Sequence, residues 1–152
     1  LYFAGIALLS GISGFINSRV VMRLGMRPLA RLAFGSQAVI ATLFWAAWHW
    51  GLVDTLSAQA TLGLYIGWSV TLFFMNGMTF GNITALAMEP LGHIAGTASA
   101  VIGALSSVLA IFIAAPVGLA FDGTPRALLA GVALCSAFAF WLVHADRDRV
   151  RD

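Results

Sequence analysis

The residues best suited to binding another molecule lie along one uncharged, apolar stretch in the middle of the chain. When this stretch is drawn as a helix, one side carries an indole, a thioether, a hydroxyl and two amides. Binding sites for small, partly apolar molecules combine apolar walls with a few polar groups that fix the ligand. We therefore predict a substrate cavity lined by Trp68, Met75, Asn76, Thr79 and Asn82. The alternative is that Asn76 and Asn82 only form hydrogen bonds between helices.

Residues that support catalysis or metal binding are sparse. The apolar stretches have no acidic residue in their middle, and Glu89 sits at the break between two of them. His49, His93 and His144 fall near the ends of apolar stretches and have no metal-ligand spacing. No nucleophile or phosphate-binding motif is present, and a single cysteine, Cys135, cannot form an intrachain disulfide. We predict that the chain is not an enzyme and holds no metal or cofactor.

The elements that must position these residues are helices that cross a membrane. The chain is 61% hydrophobic and only 9% charged, and its mean hydropathy is +0.94. The uncharged stretches between Arg31 and Asp54, between Asp54 and Glu89 and between Glu89 and Asp122 each reach the roughly 20 residues that span a bilayer. They lack the alternating polarity of barrel strands. A net charge of +2 gives no indication of nucleic-acid binding.

We predict five membrane-spanning helices in one domain, followed by a short tail. Glu89 and Pro90 mark the break between the third and fourth helices, and Gly123 and Pro125 mark the next break. The predicted helices and tail cover about 1–17, 28–50, 60–86, 94–121, 126–143 and 144–152.

The basic residues indicate how these helices are oriented. With five alternating spans, the loop after the first helix and the C-terminal tail lie on the same side. That side carries every one of the eight basic residues except Arg126. Because loops rich in Arg and Lys stay in the cytoplasm, we expect a cytoplasmic C-terminus. The first residue, Leu1, is not an initiator methionine, so we expect a longer parent protein.

Small residues predict where helices pack together. Glycines four residues apart, Gly63 with Gly67 and Gly77 with Gly81, lie opposite the polar side of the third helix. The fourth helix carries a stripe of small residues along its length. Small residues let backbones approach closely in lipid. We therefore predict helix packing through both the glycine side of the third helix and the stripe, which comprises Gly96, Ala100, Gly103, Ser107, Ala114 and Gly118.

The segment after the first helix resembles a known loop motif. The stretch from Gly14 to Arg19, followed by Arg23-Leu24-Gly25-Met26-Arg27, is similar to the second copy of the loop motif of the major facilitator superfamily. Asn17 stands near the acidic position of that motif. The resemblance implies a gating loop that includes Asn17, Arg19, Arg23, Gly25 and Arg27.

A second stretch resembles one subfamily of these transporters. Glu89-Pro90-Leu91-Gly92-His93-Ile94-Ala95-Gly96-Thr97-Ala98-Ser99 is similar to the segment that joins the tenth and eleventh helices of the Bcr/CflA drug exporters. The resemblance spans essentially the whole chain. It implies that the chain supplies helices eight to twelve of a twelve-helix transporter, so that its fold would be part of the C-terminal six-helix half.

The resemblance also implies a function. Such a transporter is a proton-driven antiporter of the bacterial inner membrane that expels drugs or other amphiphilic small molecules. The complete transporter would also have an N-terminal half that this chain lacks, and the two halves would rock around a central site. The carboxylate that couples transport to protons would lie outside this chain. Two alternatives stay open: the same fold exporting an endogenous metabolite such as an amino-acid or sugar derivative, and a non-transporting membrane scaffold whose helices only pack.

Overall fold

The computed structural model describes the backbone of residues 2–149 and the side chains of residues 5–8 and 11–145. Within that range the protein is all-helical, which confirms the predicted fold class at that level. One 3-10 turn, Glu89–Ile94, separates the third and fourth helices. The α-helices are α1 Tyr2–Leu24, α2 Met26–His49, α3 Ala58–Met88, α4 Ala95–Leu119 and α5 Arg126–Arg149.

The main difference from the predicted helix boundaries is at the end of α1. We predicted an end near Asn17, but the helix continues to Leu24 and includes Arg19 and Arg23. No glycine or proline interrupts this segment, and basic residues are favourable in the last turn of a helix. Gly25 alone separates α1 from α2, and its φ of 83° is a conformation that side-chain-bearing residues rarely adopt.

α5 also differs, because it extends into the predicted tail as far as Arg149. The remaining tail residues, 150–152, lie outside the described residues. The other helix ends lie within a few residues of the predicted ones. α3 begins where the Ser57 side chain accepts a hydrogen bond from the backbone N–H of Ala60, at 3.3 Å.

Within the described residues, four helical stretches are long and apolar enough to cross a membrane. The third of them, Ala58–Leu119, is 62 residues long and contains both α3 and α4. A helix of that length would measure about 90 Å, three times the bilayer hydrocarbon. The chain reverses at the 3-10 turn instead, since Thr124 after α4 and Thr61 at the start of α3 line the same groove.

Packing joins four of the five helices closely. α2 lies against both α3 and α5, and α1 packs along α3. A buried aromatic cluster near the end of α2 includes Trp48, Trp68 and Leu129 and fixes how α2, α3 and α5 meet. α4 contacts its neighbours near its ends only. Apart from the half-buried Ile102, every residue from 99 to 116 is exposed.

Candidate functional site

The buried polar side chains of the described bundle are uncharged. Ser13, Gln37, Thr79 and Asn82 lie on α1, α2 and α3, between the middle of the bundle and the end where α1 stops and α2 starts; Ser69 on α3 and Ser136 on α5 are also buried. We call that end the basic end, because it carries Arg19, Arg23, Arg27 and Arg31. We call the group the polar layer, and it consists of Ser13, Asn17, Ser36, Gln37, Thr79 and Asn82.

Two amides in the polar layer bind each other across helices. The Asn82 Nδ2 group donates to Asn17 Oδ1 at 2.7 Å and to the backbone oxygen of Met78 at 2.7 Å. In the reverse direction, Asn17 Nδ2 and Asn82 Oδ1 lie 3.4 Å apart. Asn82 is 5% exposed. This pair joins α1 to α3 in the way that the alternative interpretation of Asn82 anticipated.

The hydroxyls of the polar layer are mostly satisfied by their own helices. Thr79 Oγ1 donates to the backbone oxygen of Met75, at 2.9 Å, and Ser36 Oγ donates to that of Ala33, at 3.0 Å. Ser36 Oγ also lies 3.8 Å from Met75 Sδ. Hydroxyls bonded to their own helix can be buried in an apolar interior at little cost.

Gln37 differs from its neighbours. It lies midway along α2 and is 3% exposed. Both atoms of its amide, Nε2 and Oε1, are buried, and neither has a hydrogen-bond partner among the described residues. An unsatisfied buried amide destabilises a fold by about 1–3 kcal/mol per group. Gln37 is thus the side chain of the polar layer whose buried donor and acceptor both lack a hydrogen bond among the described residues.

The predicted cavity residues differ in how far they are buried. Trp68, Thr79 and Asn82 are buried, Met75 is half-buried and Asn76 is exposed. Three grooves of about 490, 520 and 500 Å³ are all lined by other residues. The structure places the polar side of α3 against α1 and α2, and contact of these residues with a substrate stays a prediction.

The glycine side of α3 is open in the described chain, and its packing on another helix stays a prediction. Gly63, Gly67 and Gly81 are exposed, and no described atom comes within 4 Å of the position a Cβ would take on any of them. Among the described helices, α3 packs mainly on α1 and α2, and both lie against its polar side. Indole, hydroxyl and amide groups are costly against lipid, whereas glycine is not.

The small-residue stripe of α4 is exposed as well in the described chain, so its packing against another helix stays a prediction. The positions concerned are Gly96, Ala100, Gly103, Ser107, Ala114 and Gly118. α4 meets α5 near its C-terminal end, where Val117 Cγ2 lies 2.8 Å from the position of a Cβ on Gly131 and where Ala114 and Gly118 line a groove shared with α5. Small side chains permit close approach but supply little attraction of their own, so they do not determine which helix packs on them.

The predicted gating loop is mostly helical. Asn17, Arg19 and Arg23 belong to α1, Gly25 forms the turn and Arg27 is the second residue of α2. The Arg19 guanidinium carbon lies 4.2 Å from the centre of the Phe15 ring, a cation–π distance. Asn17 faces Asn82, so it contributes to the bundle interior rather than to a loop. A gating role for these residues stays a prediction.

Sequence reasoning missed Gln37 and Ser36. The available signal was an amide in the middle of a charge-free apolar stretch, the feature that had drawn attention to Asn76 and Asn82. For the described residues, no group of three or more His, Cys, Asp or Glu side chains has the geometry of a metal site. No protein-family model, curated protein or solved structure matches the chain.

Proposed function

We propose that this chain forms part of a secondary active transporter that exports drugs or other amphiphilic small molecules across the bacterial inner membrane. The resemblance of its two loop segments to the major facilitator superfamily and to the Bcr/CflA exporters supplies the transport class. Protons are the proposed coupling ion. The proposed orientation has a cytoplasmic C-terminus, supported by the arginines gathered at the basic end.

The observation that carries this proposal is the unpartnered amide of Gln37. Polar groups buried within a membrane are costly, and they commonly mark the path of a substrate or ion. A protein whose helices only pack would be more stable with an apolar residue at this position. An amide without a partner in one arrangement is useful if a substrate, or a second arrangement of the helices, supplies the missing hydrogen bonds.

The lack of charge in the polar layer supports an amphiphilic substrate. Helices α1 to α4 contain no Asp or Glu, and the two of α5, Asp146 and Asp148, lie in its last turn, so a strongly charged molecule would find no counter-charge within the helices. Amides and hydroxyls beside Met75 and Trp68 suit a molecule with apolar surface and a few polar atoms. Proton coupling would then use a carboxylate that lies outside these segments.

One specific observation favours a second candidate, a scaffold. The Asn17–Asn82 pair satisfies both side chains within the bundle, as expected of a helix-packing device. In that reading Gln37 is simply a destabilising residue. The two candidates predict opposite effects when the Gln37 amide is removed.

The experiment uses a bacterium without its own exporters, expressing the gene that encodes this chain. Accumulation of a panel of labelled antibiotics is followed with and without a protonophore. We expect lower accumulation that the protonophore abolishes, and we expect Gln37→Leu to reduce export about tenfold, the effect of a lost hydrogen-bond pair. Thr42→Val is the matched control, because Thr42 is exposed on the same helix and binds only its own backbone.

Each outcome separates the candidates. Unchanged antibiotic accumulation, with the protein shown to be in the membrane, argues against drug export and directs the search to endogenous metabolites. Full export by the Gln37→Leu variant would show that the Gln37 amide has no role in transport, and the proposal would lose its main support. A Gln37→Leu variant that is more stable, in a protein that moves none of the compounds or metabolites tested, supports the scaffold.

A further inference from the structure

A groove runs along α2 and α5 from the basic end towards the middle of the bundle. Its volume is about 490 Å³, and α5 contributes Phe140. α2 and α5 are antiparallel here, since Gly35 lies against Phe140 while Trp48 shares a cluster with Leu129. The positions of α2 along the groove are Pro28, Arg31, Leu32, Gly35, Val39 and Ile40, with Ser36 between them.

The groove is polar at one end only. Arg31 is its single charged lining residue and lies close to the start of α2, at the basic end. The other polar side chain in the lining, that of Ser36, already donates to the backbone oxygen of Ala33. Beyond Arg31 the walls are aliphatic or aromatic. An occupant that fits this groove therefore has one polar end and a long apolar body.

Arginines outnumber carboxylates at the basic end. Arg147 and Arg149 at the end of α5 add to those of α1 and α2, whereas the carboxylates at this end are Asp146 and Asp148 of α5 and Glu89 after α3. The chain has no Asp or Glu before Asp54, while four arginines, Arg19 to Arg31, fall in its first 31 residues. Arg31 is half-buried and has no carboxylate partner among the described side chains. His144 lies at the same end of the groove, stacked on Phe140 with ring centres 6.1 Å apart. This end suits an anion.

We propose that this groove binds one anionic phospholipid. Its phosphodiester group accepts hydrogen bonds from the Arg31 guanidinium, and one acyl chain lies along the groove between Leu32, Val39 and Phe140. Arginine holds phosphate oxygens well because its planar donors match their geometry. Basic pockets between membrane helices are known binding sites for anionic headgroups. This proposal requires that α2 and α5 lie in a bilayer, and it does not depend on the proposed transport function.

The depth of Arg31 agrees with a headgroup contact. It is the sixth residue of α2, so it lies about 8 Å along a helix of about 36 Å. A long arginine side chain at this depth reaches back to the phosphate level while its stem stays in the apolar region. A soluble phosphate would use only the Arg31 end and leave the rest of the groove empty, which is why we commit to a lipid.

The test measures bound lipid directly. The purified full chain is equilibrated with vesicles of phosphatidylcholine containing phosphatidylglycerol, and the retained lipids are counted by native mass spectrometry. We expect phosphatidylglycerol to be retained at least about fivefold over phosphatidylcholine, the factor expected from one arginine–anion contact. Arg31→Gln should lower phosphatidylglycerol retention about tenfold, because it removes hydrogen bonds to a charged group. Arg23→Gln, on α1 outside the groove, should change it less than about threefold.

A second pair of variants tests the acyl-chain part. Val39→Trp fills the groove from its exposed side, and Leu43→Trp places the same ring one turn further along α2, outside the groove. Val39 and Leu43 are 60% and 63% exposed, so neither change disturbs the interior. We expect Val39→Trp to lower lipid retention several-fold and Leu43→Trp to leave it unchanged.

Three results would overturn the proposal. The first is an equal effect of Arg31→Gln and Arg23→Gln, which would mean diffuse attraction to the basic end. The second is unchanged retention in Val39→Trp. The third is full displacement of the lipid by millimolar glycerol phosphate, which carries the same headgroup chemistry without an acyl chain. None of these readouts depends on transport, so failure here leaves the proposed function untouched.

Discussion

The polar side of α3 and the small-residue stripe of α4 are both well patterned, yet only the first is packed. α3 buries Trp68, Thr79 and Asn82 between α1 and α2. α4 leaves Gly103 and its other small residues exposed. The difference shows which pattern selects a neighbour. Side chains that lose free energy against lipid draw helices together, whereas small side chains only allow an approach that something else must cause.

The largest expected effect comes from Trp68, at the centre of the packed side. We expect Trp68→Ala to lower the free energy of unfolding by about 3–5 kcal/mol, because it removes a large ring that is 1% exposed. Unfolding by increasing denaturing detergent, followed by circular dichroism, measures this. Phe80→Ala is the control on the same helix; Phe80 is 72% exposed, and we expect a change within about 0.5 kcal/mol.

The Asn17–Asn82 pair tests whether polar contacts cause the packing of α1 on α3. We expect Asn82→Leu to lower the free energy of unfolding by about 1–2 kcal/mol, since Asn17 then loses its partner. The double variant Asn17→Leu/Asn82→Leu should regain most of this loss. Asn76→Leu, at an exposed position of α3, should be neutral or stabilising. Additive losses in the double variant would show that the pair does not couple the two helices.

Two glycines differ in their surroundings: Gly103 of α4 faces open space in the described chain, and Gly131 of α5 lies against Val117. Gly103→Ala in α4 should stabilise the helix by up to about 1 kcal/mol, because a Cβ there meets nothing within 4 Å in the described chain and alanine favours a helix. Gly131→Ala should destabilise the protein, because its Cβ would lie 2.8 Å from Val117 Cγ2. Thermal unfolding of both variants and of the unchanged protein shows whether each substitution raises or lowers the unfolding temperature. Destabilisation by Gly103→Ala would mean that another helix occupies the stripe.

The smallest expected effect lies in the turn between α4 and α5, outside the membrane. Hydrogen bonds from the Thr124 hydroxyl and backbone N–H hold the pKa of the Asp122 carboxyl below its usual value. A lowered folded-state pKa adds stability above the unfolded pKa of about 3.9, and this is lost as the pH falls through the folded pKa. Asp122→Ala should therefore destabilise slightly at pH 7 and have no effect near pH 2. An equal effect at both pH values would exclude the charge as the cause.

The helices themselves were largely predictable, because each depends on a local pattern. Uncharged apolar stretches, Pro90 and the Asp122–Pro125 turn located the five helices to within a few residues at most ends. The end of α1 was the exception. The arginines from Arg19 to Arg23 suggested a loop, but nothing in the segment breaks a helix, and a basic last turn is favourable.

The candidate site was predictable only in part. The pattern of α3 separates a polar side from a glycine side, but it does not identify the helices that cover the polar side. Gln37 escaped notice because a single amide in an apolar stretch has no partner spacing to reveal it. Burial of both its polar atoms becomes visible only when α2 is packed against other helices.

The sequence by itself determined that the described chain is helical and apolar enough to cross a membrane, and that its arginines gather at one end. These properties follow from composition and spacing over about 20 residues. The tertiary structure alone decided which side of each helix is covered. Asn17 and Asn82 are separated by 65 positions, and no local pattern encodes their meeting. The choice depends on the relative cost of leaving each face against lipid, which is a property of all the helices together.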